Sequence, residues 1–68
     1  MPLTIEVERE LDGRWIAEAT ELPGVLTYGK TREEAVERVQ ALALRVVADR
    51  LEHGESIPDL DHLFAVAP

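Results

Sequence analysis

Residues 31–54 constrain this chain more than any other stretch. Thr31-Arg32-Glu33-Glu34 has the form of a capping box. In that motif the Thr31 hydroxyl accepts from the N–H of Glu34, and the Glu34 carboxylate reaches back to the N–H of Thr31. Glu33 and Glu34 also sit at the positive end of a helix dipole. Behind them Ala35, Val36, Val39, Leu42, Ala43, Val46 and Val47 recur at i, i+3/i+4 spacing. They make one apolar stripe, with Glu37, Arg38, Arg45, Asp49 and Glu52 on the other side. Glu34–Arg38 and Arg45–Asp49 are spaced as i,i+4 ion pairs. His53 in the last turn and Gly54 at the C′ position mark the stop. The pattern predicts one long helix from about Thr31 to His53, against which the rest of the chain must be laid.

Ahead of the helix, Leu3, Ile5 and Val7 alternate with Thr4, Glu6 and Glu8, as in a half-buried strand. Trp15, Ala17 and Ala19 alternate with Arg14, Ile16 and Glu18 in a second strand, and Asp12-Gly13 between the two is a hairpin signal. A two-residue turn would set Val7 opposite Glu18. A three-residue Leu11-Asp12-Gly13 loop sets Val7 opposite Ala17, Ile5 opposite Ala19 and Glu6 opposite Glu18. The second register gathers the apolar side chains on one face and is preferred, because a one-residue slip would turn every side chain over. It leaves Ile16 among Glu6, Glu8 and Glu18 on the other face. Glu21-Leu22-Pro23-Gly24 reads as a tight turn. Residues 25–28 form a third strand, in which either Val25 and Thr27 or Leu26 and Tyr28 face inward. Gly29-Lys30 turns the chain into the helix.

After the helix, residues 63–66 are short, apolar and β-capable, with Pro68 close behind, and predict a fourth, edge strand. The order is β-β-β-α-β. We expect one two-layer α+β domain over residues 1–68, with the helix on one face of a sheet of order 3-2-1-4. A right-handed crossover would set the fourth strand parallel to the first. One helix covers one face, so the other is left to solvent or a partner. On the helix itself, Ala41, Leu44, Ala48 and Leu51 fall outside the stripe. They read either as an exposed Leu among helix-favouring residues or as a weaker second strip that meets another copy.

A chain of 68 residues without cysteine has neither disulfides nor thiolate metal sites to stabilise it, which favours oligomerisation, and we expect a homodimer. Fourteen Asp and Glu against seven Lys and Arg give a formal charge of −7. A nucleic-acid binder needs a basic stripe, so direct binding of DNA or RNA is not expected, whereas a basic protein partner suits this surface. No signal peptide or membrane span is apparent, and a cytoplasmic protein is expected. No nucleophile stands at a recognisable spacing from a His, and there is no phosphate-binding loop. Glu6, Glu8 and Glu18 could converge around a hard cation, but their alternation with a core face is the ordinary solvated pattern. Asp59, Asp61 and His62 make an equally ordinary polar loop. No catalytic residue, metal or cofactor is expected.

Four short motifs stand in order: Asp12-Gly13-Arg14-Trp15-Ile16-Ala17-Glu18, Glu21-Leu22-Pro23-Gly24, Gly29-Lys30-Thr31-Arg32-Glu33-Glu34-Ala35, and Gly54-Glu55-Ser56-Ile57-Pro58. Together they resemble the HicB family of antitoxins over about residues 3–66. The resemblance implies a partial RNase-H-like fold without that enzyme's carboxylates. It also implies a partner, a small basic mRNA-cleaving toxin of the HicA type, which such a domain covers in a type II toxin–antitoxin system. Many family members add a C-terminal DNA-binding segment; residues 1–68 contain none, so no operator binding is expected. Within this reading Glu6, Glu8, Ile16 and Glu18 are the candidate partner-binding residues, and Ala41, Leu44, Ala48 and Leu51 the candidate oligomer contacts. The alternative is a solitary homo-oligomeric domain, structural or binding a small ligand, with no toxin.

Overall fold

The computed structural model describes residues 3–57 and 64–68. Strands β1 (Ile5–Arg9), β2 (Trp15–Ala19) and β3 (Leu26–Gly29) form an antiparallel sheet in the order β1-β2-β3. A 21-residue helix, α1 (Arg32–Glu52), packs on one face.

The hairpin adopts the three-residue loop. Ile5 stands opposite Ala19, Glu6 opposite Glu18 and Val7 opposite Ala17. Gly13 takes φ 92°, which a side chain would resist. The Asp12 carboxylate accepts from the Arg14 backbone N–H at 3.1 Å and from its Nε at 2.8 Å. The backbone bond first, then the guanidinium, hold the Asp12 carboxyl below its ordinary pKa. The next turn closes where Val25 N–H donates to the Leu22 carbonyl at 3.0 Å, with Pro23 and Gly24 (φ 84°) between them. That is the arrangement a type II turn demands of Pro and Gly.

Helix α1 starts and stops where the sequence indicates. Thr31 is the N-cap, its hydroxyl accepting from Glu34 N–H at 3.1 Å. The reciprocal bond lands one residue early: the Glu34 carboxylate takes the N–H of Lys30 at 3.3 Å, not that of Thr31, and also pairs with Arg38 at 3.1 Å. At the other end Gly54 (φ 72°) donates to the Leu51 carbonyl and Glu55 to that of Arg50, the two bonds of a Schellman motif. The His53 ring lies 2.7 Å from the Asp49 carbonyl and 3.5 Å from its carboxylate. Asp49 therefore faces His53, where a pair with Arg45 was expected.

The core is made of Ala17, Ala19, Leu22, Val25, Ala35, Val39, Ala43 and Val47. Val36, Leu42 and Val46 flank the buried helix stripe at intermediate exposure. The helix lies chiefly over β3 and β2 and less over β1, so Leu3, Ile5 and Val7 are only half-buried.

The expected fourth strand is not present in residues 64–66, so the order 3-2-1-4 is reduced to 3-2-1 among the described residues. Phe64 and Val66 are 67% and 95% exposed. Three residues, one of them β-branched, offer few ladder bonds against an ordering cost of about 1–2 kcal/mol per residue. Leu63, with the Asp59, Asp61 and His62 loop, lies outside the described residues. Among the described residues no helix is long and apolar enough to cross a membrane.

Candidate functional site

Strand pairing decides which side chains share the sheet face that α1 leaves open. Glu6 faces Glu18, and Glu18 faces Leu26, in one row across the sheet; Glu8, Ile16 and Tyr28 make the next. Side chains alternate along a strand, so these six project away from the helix. Glu6, Glu8, Ile16 and Glu18, the four residues singled out in the sequence, line one shallow depression of about 190 Å³. The structure therefore brings the candidate partner-binding residues together, on the side opposite the core.

Leu26 and Tyr28 extend that face, and the sequence left their direction open. Both are more than a third exposed, at 37% and 38%. The reason lies on the inner side of β3. The Thr27 hydroxyl donates to the Ala35 carbonyl at 3.0 Å. A Cβ at Gly29 would meet the Ala35 backbone nitrogen at 2.5 Å. The first turn of the helix thus comes so close to β3 that only small residues fit beneath it, and the bulky pair is turned outward. The sequence carried that signal in the Thr27, Gly29 and Ala35 triplet of small residues. The Arg38 guanidinium fixes the same junction by donating to the Tyr28 carbonyl at 2.9 Å.

The face is graded rather than uniformly acidic. Glu6 and Glu8 occupy β1, Ile16 and Glu18 the central strand β2, and Leu26 and Tyr28 the β3 side. At one corner the Arg14 guanidinium stacks on the Tyr28 ring, 4.5 Å from its centroid, while its Nε is held by Asp12 at 2.8 Å. Among the described residues no polar side chain is buried, and no three His, Cys, Asp or Glu groups are placed to hold a metal ion. What this surface offers is attraction for a cationic surface combined with apolar contact area.

The second group of candidates is also exposed. Ala41, Leu44, Ala48 and Leu51 all lie on the solvent side of α1, with Leu44 and Leu51 66% and 49% exposed. Leu44 is nevertheless not at the back of the helix. It lines a groove of about 300 Å³ with Leu3, Ile5, Gln40 and Ala43, beside the open edge of β1.

A curated protein of Thermoplasma acidophilum, the UPF0150 protein Ta0767, is 29% identical over 58 residues, spanning 85% of this chain and 84% of that protein. No family model matches the chain, and no solved structure matches it.

Proposed function

We propose that this chain is an antitoxin-like protein-binding module that neutralises a basic, HicA-like mRNA-cleaving toxin by covering it. It would work in the cytoplasm, where that toxin meets mRNA. The observation that supports this most is the open sheet face, on which Glu6, Glu8 and Glu18 surround Ile16 and adjoin Leu26 and Tyr28. Such a surface suits the basic RNA-binding side of a small toxin. The carboxylates attract and orient the partner, and the central apolar side chains exclude water from the contact. Inhibition by occlusion needs no catalytic group and no bound cofactor. The HicB-like order of turn, turn, capping box and helix stop supports the same reading.

Co-expression with a basic protein of about 60–80 residues, encoded beside this chain, tests it; the expected outcome is a complex that suppresses RNA cleavage. Replacing Glu8 and Glu18 together by Lys is expected to weaken the complex by about tenfold or more, since like charges juxtaposed across an interface cost several kcal/mol. Unchanged affinity would remove the sheet face from the interface. Toxicity unaffected by co-expression would remove the antitoxin role.

A further inference from the structure

The edge of β1 that faces away from β2 has backbone groups to offer. Thr20 N–H donates to the Thr4 carbonyl, and Glu10 N–H to that of Arg14. With the register running through Glu6–Glu18 and Glu8–Ile16, the even-numbered residues of β1 bond to β2. Ile5, Val7 and Arg9 therefore direct their N–H and carbonyl groups to the open side. Among the described residues no strand pairs there. The edge has no proline, no lysine and no bulge, and its charges, Glu6, Glu8 and Arg9, are what guard it.

Beside this edge, between β1 and α1, runs the groove lined by Leu3, Ile5, Gln40, Ala43 and Leu44. It exists because the helix sits towards β3 and leaves the inner side of β1 half-covered. The same chain carries an apolar segment left largely exposed: Phe64 and Val66 are 67% and 95% exposed. Two residues apart, they would share one face of a strand, with Ala65 on the other. A short strand added to β1 would satisfy some of the open backbone groups and drop Phe64 and Val66 into the groove, their burial adding to the few ladder bonds.

We propose that residues 64–66 of a second copy occupy this edge and groove, each copy giving its tail to the other in a strand-exchanged dimer. In their own chain these residues are exposed rather than seated in the groove. The core behind it is thin, half of its eight buried side chains being Ala, so a second copy supplies burial that the single chain lacks. Leu44 lines the groove, and Leu51, exposed two turns further along the helix, would extend the contact to the body of that copy. Exchange of an identical element is a low-cost route to a dimer. The exchange leaves the acidic sheet face free, so it does not compete with the proposed toxin contact.

Sedimentation of the full chain is expected to show a dimer. Val66→Glu, at a position outside the core, is expected to weaken it by at least about tenfold without loss of helical signal. The absence of native cysteine permits a direct test of which tail goes where. Differently tagged chains carrying Ala65→Cys in one and Glu6→Cys or Glu8→Cys in the other are mixed and oxidised. A disulfide joining the two tags is expected. An internal disulfide alone, in a chain carrying both cysteines, would show the tail seated on its own body and overturn the exchange. So would a monomer at high concentration, or a dimer that Val66→Glu leaves intact.

Discussion

Where β2 and β3 run beneath α1, most inner residues are small: Ala17 and Ala19 on β2, Thr27 and Gly29 on β3, with the large Trp15 only half-buried at the start of β2. On the outer side of the same strands the residues are large: Ile16 and Glu18, Leu26 and Tyr28. Composition alone suggests the reverse, with bulk in the core and small residues outside. The difference follows from what each side faces. The inner side meets a helix backbone at near contact, so each side chain there is limited by the space beneath the helix. The outer side meets nothing in this chain, so its size and charge are free to serve an encounter with something else.

The most damaging way to break that contrast is to add one methyl group inside. Gly29→Ala places its Cβ 2.5 Å from the Ala35 nitrogen and 3.0 Å from the Ala35 Cα. The obstacle is backbone, so the helix start itself must move, with an expected loss of about 1–3 kcal/mol in urea denaturation. Leu26→Ala removes three carbons from the outer side of the same strand and is expected to cost less. If the two rank the other way, the close approach of α1 does not govern the sheet.

A smaller change sharpens the contrast from outside. Glu6 and Glu18 are directly opposed like charges, an arrangement that destabilises a sheet. Glu18→Lys converts the pair into opposite charges and is expected to raise stability by about 0.2–1 kcal/mol, read as a higher thermal midpoint, while weakening the proposed toxin contact. A gain in stability at the expense of binding would mark the outer face as arranged for contact.

The smallest effect concerns the entry to β1. The Glu21 carboxylate accepts from the Thr4 backbone N–H at 2.8 Å and from the Thr4 hydroxyl at 2.9 Å. Those bonds, the backbone one foremost, hold its carboxyl below the ordinary range. A folded pKa below the unfolded one stabilises the native state above the unfolded value, and that stabilisation is lost as the pH falls through the folded value. Glu21→Gln is therefore expected to be less stable than the parent chain at neutral pH, with the difference shrinking as the pH falls below about 4.3, the ordinary Glu value, and through the lower folded value. A difference that persists in acid would point to packing rather than to charge.

What was legible in the sequence was what neighbouring residues decide among themselves. The hairpin register followed from requiring Ile5, Val7, Ala17 and Ala19 to share a face. The helix bounds followed from Thr31, Glu34 and Gly54, whose bonds reach only a few residues along the chain. The four outer-face candidates followed from alternation alone. Decisions made by distant parts were harder to read. Leu22 sits in a turn of four residues and yet is fully buried, because the turn folds it under the helix. The direction of Leu26 and Tyr28 depended on how near α1 comes to β3. The fourth strand depended on whether residues 64–66 find a body to lie against, which a local apolar run does not reveal.

The tie between β3 and the start of α1 also bears on the order in which the chain assembles. Thr27 bonds to Ala35 across eight residues and Tyr28 to Arg38 across ten. Loops this short close at small entropic cost, as does the three-residue loop that pairs β1 with β2, whereas the packing of β1 against α1 joins residues much further apart along the chain. We expect the β3–α1 junction to form early, with β1 packing against the helix later. Rate measurements should show φ-values of about 0.5–0.8 for Thr27→Ala and lower ones for Val7→Ala; the opposite ranking would place the nucleus in the first hairpin.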